Sequence, residues 1–456
     1  MTQQYQVINP YSLEVNGEYA YDSLSDVEAA LHELKQGQGT QRKLTAHERA
    51  DILRRLAGLL EEHAEELARL ICSETGKTIS DARVEISRAF NTTIASSEEA
   101  RQIHGEALDS DAYPPARVRI GVECWRPLGT VMCITPFNFP LNIAMHKLGP
   151  AFAAGNAILF KPHPVNTVSA TRLVDLCYEA GIPRSVLQLS MPRVEDMPSI
   201  IANPEVAMIN FTGGEAAANA IASAAGYKKL LLELGGNDPL ILMPDGDVEA
   251  AVNASMNQRF ATAGQRCTAT KRVYVHAAVY DSYRELLLTQ TGKLVTGDPA
   301  KEDTFVGPVI DSRAADEIEK RIQQAVEHGA HLAAGGARVG NVIEPTVLED
   351  VPDDCDLVSK ETFGPVLPLR RFTDISEVIA LVNASPFGLQ AGVFTKDIEL
   401  ARQLFDELEV GTLAINDGPG FRAEHFPFGG VKESGIGREG IRYAIREMSY
   451  QKTLVI

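Results

Sequence analysis

The sequence predicts an α/β protein of two parallel-sheet domains plus a small outlying β element. Three observations carry this reading. From about residue 129, short apolar runs ending in Gly or Pro alternate with helical segments, the pattern of βαβ units. The alternation starts afresh after GGNDPLILM, giving a second series. With 456 residues the chain exceeds the usual size of one domain.

The first hundred residues read as helical. Residues 45–73 place Ile52, Leu53, Leu56, Leu59, Leu60, Leu67 and Leu70 at helical spacing, behind a capping box of Thr45 and Glu48. A second helical stretch covers 79–103. GTVMCITPFNFP is a strand into a loop, and AILFKPHP is a strand followed by a helix near 167–180. VAMINFTGG is a strand opening the helix EAAANAIASAA, and KKLLLELGG is a further strand. The second series holds the strand RVYVH, helices near 279–293 and 312–328, and the strand GPVLPLRRF. Val118, Ile120, Val122 and Cys124 alternate on one face of RVRIGVECWRPLG, and the C-terminal MSYQKTLVI is also strand-like. These two outlying strands either pair with each other or add to another subunit. There is no low-complexity linker and no internal repeat, so the two α/β domains pack closely.

Composition narrows the function. Hydrophobic residues make up 45% and charged residues 23%, which is globular rather than disordered. The net charge of −18 repels nucleic-acid phosphates and anionic lipids, so neither is an expected partner. An anionic substrate then needs local basic residues. No apolar run approaches the about 18 residues of a membrane span. The opening MTQQYQVINPYS has neither a basic nor an apolar targeting region. Cys72, Cys124, Cys133, Cys177, Cys267 and Cys355 form no CxxC, and His104, His146 and His425 belong to no ligand-spaced cluster, so no metal is expected. A cytoplasmic, reducing location fits this cysteine usage.

Four local features carry chemistry. In parallel sheets ligands sit beyond the carboxyl ends of strands, where Pro136, Lys161, Gly213 and Glu233 fall. Cys267 lies in the polar, small-residue setting AGQRCTATKR, beside Arg266, which favours a thiolate; it is either a reactive thiol or an inert buried one. Glu233 ends an apolar strand in LLLELGGN, where a raised pKa suits a general base; an edge carboxylate bonded to amides is the alternative. Asn138 in TPFNFP either donates to a developing oxyanion or is a turn asparagine. In FTGG, Gly213 and Gly214 allow close backbone approach before a helix N-terminus that favours an anion, without forming a GxGxxG.

Together these segments resemble the aldehyde dehydrogenase superfamily across essentially the whole chain. The matching stretches are TPFNFP, the strand ending in Lys161 and Pro162, FTGG, LELGGN, GQRC, KETFGPV at 360–366 and PFGGVKESGIGRE at 427–439. The resemblance implies a dinucleotide-binding domain over 1–112 and 127–234, a catalytic domain over 235–440, and oligomerisation strands at 113–126 and 441–456. It also implies homodimers or homotetramers. Cys267 resembles the nucleophile that forms a thiohemiacetal and then a thioester, and Glu233 the base that activates water. Asn138 and the Cys267 backbone N–H resemble the oxyanion donors. NAD or NADP is the implied cofactor, held by Thr135, Pro136, Phe137, Lys161, His163, Gly213, Gly214, Leu234, Glu361 and Phe363. Pro164 stands where many NAD-preferring members carry a glutamate, so the bar against NADP is missing. Phe137 replaces a common Trp, and Ala218 a common Gly.

Arg266, Arg422 and Thr268 are the substrate candidates. The arginine pair resembles the non-phosphorylating glyceraldehyde-3-phosphate, phosphonoacetaldehyde and lactaldehyde branch. Two converging arginines suit a small aldehyde with a phosphate, phosphonate, sulfonate or carboxylate. Otherwise Arg266 turns away to pair with a carboxylate and Arg422 is a surface residue. Phe139 stands where the phosphate-binding branch often has Tyr. Neutral lactaldehyde, or broad specificity, is the alternative; a CoA-acylating enzyme fits less well because it needs no hydrolytic base such as Glu233. Arg83 and Arg88 are solvated, or one of them reaches the substrate.

Overall fold

The computed structural model describes residues 3–114 and 118–456, so residues 115–117 of the expected strand at 113–126 lie outside the described residues. The first large sheet runs in the order Gly435–Ile436, Lys229–Glu233, Val206–Thr212, Thr130–Ile134, Ala157–Lys161, Leu187–Leu189. Its strands are parallel except Gly435–Ile436, which pairs antiparallel with Lys229–Glu233. The second runs His331–Ala334, Thr346–Glu349, Val366–Phe372, Arg272–His276, Pro239–Leu242, Gln390–Phe394, Thr412–Ile415, parallel apart from its first edge strand. Central strands such as Thr130–Ile134 and Ala157–Lys161 are buried at every position, which is why they read as unbroken apolar runs.

Helices cover both faces of each sheet. On the first sheet, Leu53, Leu56, Leu60, Leu148, Phe152 and Leu173 pack on one face; Val27, Leu31, Leu34 and Ile221 pack on the other. Phe260, Tyr283 and Ile318 cover one side of the second sheet, and Val378, Val382 and Leu404 the other. Thr45 and Glu48 form the expected capping box, with the Thr45 hydroxyl accepting from the Glu48 N–H at 3.2 Å and Glu48 accepting from the Thr45 N–H at 2.7 Å.

Several expectations are corrected. The stretch 45–73 is two helices, Ala46–Glu62 and Ala64–Thr75, broken at His63. The first hundred residues also contain a hairpin of Gln4–Ile8 and Val15–Ala20. The segment 441–456 begins as the helix Ile441–Glu447, whose Ile441, Ala444 and Ile445 join the first sheet's core; only Ser449–Val455 is strand. Val118 lies before the strand Ile120–Pro127 and is almost fully exposed. The two outlying strands pair with each other, Ser449 opposite Pro127 through Val455 opposite Gly121, in an antiparallel sheet completed by Ala107–Asp109.

Candidate active site

Four neighbouring strands of the first sheet deliver their carboxyl ends to one place. Thr130–Ile134 leads into Thr135, Pro136, Phe137 and Asn138, and Pro140 then opens the helix Pro140–Ala154 at a position where its missing N–H is no loss. Ala157–Lys161 ends on Lys161, Val206–Thr212 on Gly213 and Gly214, and Lys229–Glu233 on Glu233 and Leu234. Cys267 arrives from the loop between the helix Val248–Phe260 and the strand Arg272–His276. One cavity of about 430 Å³ is lined by Thr135, Pro136, Phe137, Asn138, Lys161, His163, Gly213, Gly214, Leu234, Cys267, Glu361 and Phe363. Ile134, Ile143, Phe211, Thr212, Ala217 and Gly235 complete it and are absent from the sequence-derived set. Glu233, Thr268, Arg266 and Arg422 are not in its wall.

The Asn138 amide donates to the Gln265 carbonyl at 2.8 Å, tying the strand-end loop to the segment that carries Cys267. That segment is wound left-handed: Thr262 and Ala263 have φ of 55° and 51°, followed by Gly264 at 70°. A left-handed residue other than glycine costs on the order of 1–2 kcal/mol. Asp81, from the helix Ile79–Glu99, holds the turn by accepting from the Thr262 N–H at 2.8 Å and its hydroxyl at 3.1 Å. Burial pushes the Cys267 thiol up to about 11 against the pull of Lys271 and Arg422, so the resting form is the thiol, the reverse of what adjacent Arg266 suggests. Lys271 donates to the Cys267 carbonyl and pairs with Glu361 at 2.8 Å.

Glu233 is buried, and neither carboxyl oxygen has a hydrogen-bond partner among the described residues. Burial and the charge of Glu439 push its pKa well up, opposed by Arg422, Lys147 and Arg438. Gly429 makes room for it: a Cβ there would lie 2.8 Å from Glu233 Oε1, at a φ of +152°. Glu439 is itself buried and held ionised, because Lys147 at 2.9 Å and Arg422 at 2.7 Å outweigh its desolvation. Sequence reasoning missed Lys147 and Glu439. A lysine inside the apolar helix LNIAMHKLGPAFAA was the available signal, since buried lysines are almost always paired.

The substrate candidates separate. Arg422 is spent on Glu439 and stacks 3.9 Å over the Phe428 ring. Thr268 is buried. The Arg266 guanidinium lies 5.9 Å from the Phe139 ring and makes no hydrogen bond or ion pair among the described residues, although the nearby Asp81 charge favours its cation. Arg88 is half-buried and pairs with Glu424 at 3.1 Å, which also binds His146 at 3.0 Å. Arg83 is exposed between Glu65 and Glu302.

The wall also fits a dinucleotide. The Thr135 and Thr212 hydroxyls are buried without partners. The helix Glu215–Ala225 starts at Gly214 with no side-chain cap, leaving its first N–H groups for an anion. The Lys161 ammonium is buried with no hydrogen-bond partner among the described residues, and burial lowers its pKa to about 8.

Comparison with known proteins shows the family. The sequence pattern of the aldehyde dehydrogenase family matches residues 1–454. The chain is 60% identical over 456 residues to sulfoacetaldehyde dehydrogenase of Neptuniibacter caesariensis, covering 100% of both. It is 39% identical to 3-sulfolactaldehyde dehydrogenase of Priestia megaterium, over 99% of this chain and 94% of the other. The solved glyceraldehyde-3-phosphate dehydrogenase of Methanocaldococcus jannaschii, complexed with NADP, superposes with a TM-score of 0.94 at 36% identity, covering 99% of this chain and 98% of that one. The chain belongs to the aldehyde dehydrogenase family. It is an NAD(P)-dependent aldehyde dehydrogenase.

Proposed function

We propose that the enzyme oxidises a short aldehyde bearing a sulfonate, sulfoacetaldehyde in the first instance, to its carboxylic acid. The observation that carries this reading is Arg266. It adjoins Cys267 in the chain and is without an anionic partner among the described residues, whereas Arg422 and Arg88 already hold carboxylates. A guanidinium can take two oxygens of a sulfonate through parallel N–H donors. The 60% identity to a sulfoacetaldehyde dehydrogenase supports the same substrate. Arg422 then serves to balance charge around Glu439 rather than to bind substrate.

In this reading Cys267 Sγ loses its proton to water as it attacks the aldehyde carbon. The Asn138 amide and the Cys267 N–H receive the negative charge that develops on the carbonyl oxygen. A nicotinamide held in the cavity would supply the oxidation by accepting hydride. Lys161, Gly213, Gly214, Glu361 and Phe363 would hold the dinucleotide. Cys267 is left as a thioester, and Glu233 takes the proton of the water that hydrolyses it. The division is a chemical necessity: a thiolate attacks readily and leaves readily, whereas water needs a base. Unpaired Lys161, with Pro164 beside it in place of a carboxylate, lets a 2′-phosphate bind, so NADP is accepted as well as NAD.

The enzyme works as a homo-oligomer in a reducing, cytoplasmic compartment. The outer edge of Ser449–Val455 has no strand partner among the described residues, and Leu454, Val455 and Ile456 on it are exposed. All six cysteines are free, and no helix of the described residues is long and apolar enough to cross a membrane.

The test is NAD(P)H formation with sulfoacetaldehyde and with propanal. The expected result is a kcat/KM preference for the sulfonate of about tenfold or more, about 1.4 kcal/mol, that disappears in Arg266→Ala. Equal use of the neutral aldehyde by the wild type sinks the sulfonate reading.

A further inference from the structure

A basic concavity lies away from the active site. It has a volume of about 580 Å³, in the range of small-molecule sites, and shares no lining residue with the catalytic cavity. It is built where the C-terminal ends of the helices Leu24–Lys43 and Ile79–Glu99 meet the strand pair Ile120–Pro127 and Ser449–Val455. Arg42, Arg49, Arg101, Arg126 and Lys452 line it, and no carboxylate does, in a chain whose net charge is −18.

The pairing of those cations is uneven. Arg101 is satisfied by Asp51 at 2.7 Å. Arg49 donates to the carbonyls of Ala153 and Leu44, which leaves its charge uncompensated. Arg42, Arg126 and Lys452 have no hydrogen-bonding side-chain partner or ion pair among the described residues. Four like charges around one hollow repel one another, and an anion of matching charge relieves that repulsion.

Gln41 lines the same cavity and is fully buried, with its Nε2 donating to the Phe152 carbonyl at 3.0 Å. Its Oε1 is buried with no partner at all among the described residues. That oxygen is closed off from solvent, so it faces the protein interior and is not offered to a ligand in the hollow. Trp125 and Tyr450 add aromatic surface to the wall.

We propose that this cavity is a second ligand site, which binds a phosphate ester through Arg42, Arg126 and Lys452. A phosphate monoester carries about −1.5 to −2 charges at neutral pH, a closer match to Arg42, Arg126 and Lys452 than a monoanionic sulfonate or carboxylate. The inference does not depend on the identity of the aldehyde.

Trp125 is the only tryptophan of the chain, so intrinsic fluorescence reports on this cavity. The intact enzyme, saturated with NADP to fill the catalytic cavity, is titrated with ribose 5-phosphate and with AMP. Ribose, and sodium chloride at matched ionic strength, are the controls. The expected result is a saturable fluorescence change with one or both esters and none with the controls. The double variant Arg42→Gln/Arg126→Gln, altered at two exposed residues, should bind about tenfold more weakly while keeping its kcat. Binding of ribose 5-phosphate marks a sugar phosphate site, and binding of AMP alone marks a nucleotide site. No saturable change and no calorimetric heat with either ester overturns the proposal. So does equal affinity in the double variant, or an equal response to ribose.

Discussion

Arg422 and Glu439 form a buried ion pair, Nη2 to Oε2 at 2.7 Å, directly beside the unpartnered carboxyl of Glu233. The pair sets the electrostatics of that carboxyl from two sides. Glu439 raises its pKa, while Arg422 and Lys147 lower it. Without the two cations, two carboxylates would share one dry pocket, and one of them would stay protonated at neutral pH. Arg422 also helps to lower the Cys267 thiol, so one guanidinium touches both ends of the proposed chemistry.

Replacing Arg422 by Met keeps the side chain's bulk over Phe428 and removes its charge. A cation that favours the Glu233 carboxylate is then lost, so the pKa of Glu233 rises further and the base form appears at higher pH. The rising limb of the kcat–pH profile should move to higher pH, with the sulfonate preference unchanged. An unmoved limb together with a lost preference would place Arg422 on the substrate instead.

Glu233→Gln and Cys267→Ala should fail at different steps. The Gln variant keeps the nucleophile and lacks the base, so rapid mixing should show a burst of NAD(P)H followed by steady turnover lower by about 10²-fold or more. The Ala variant should show neither burst nor turnover while still binding NADP. Unchanged steady turnover in Glu233→Gln removes that residue from the base role.

The strand ends at Pro136, Lys161, Gly213 and Glu233 were legible because each closes a mostly apolar run with a residue that breaks it. The helix Pro140–Ala154 was not, because all of its residues are buried and no amphipathic period survives. The break at His63 was invisible for the opposite reason: the apolar spacing continues across it into Leu67 and Leu70. Read as a tail to the last strand, Ile441–Glu447 is too short to declare a helical period. The charges followed the same logic. Arg266, Arg422 and Arg88 stood out as residues, but which of them is already paired depends on Glu439 and Glu424, whose contacts come from folding rather than from local pattern.

Asp81 should act as a positioning residue. It lies on a different helix from the nucleophile's segment, and its carboxylate secures a left-handed turn that Thr262 and Ala263 would otherwise leave. Asp81→Ala removes two hydrogen bonds to a charged acceptor, which should cost about 2–4 kcal/mol in stability. It should also lower kcat more than it raises KM for the aldehyde. Asp81→Asn retains an acceptor oxygen and should restore most of both. A full loss of stability with wild-type kcat at low temperature would make the contact structural only.

Lys161 offers the sharpest pH test of cofactor choice. Burial alone lowers its pKa to about 8, and no carboxylate of the described residues pairs with it to hold the proton. Its cation is therefore present below about pH 8 and lost as the pH rises through that value. A dianionic 2′-phosphate depends on this charge far more than a ribose hydroxyl does. With saturating aldehyde, kcat/KM for NADP should fall as the pH rises through about 8, while kcat/KM for NAD changes little over the same interval. Lys161→Met should flatten the NADP profile at its low value, raising KM for NADP by about tenfold or more and KM for NAD by less. Parallel profiles for the two cofactors in the wild type would mean that the 2′-phosphate is held by other groups. His163, whose pKa burial and Lys161 lower to about 4, is neutral throughout this range and offers no compensating cation.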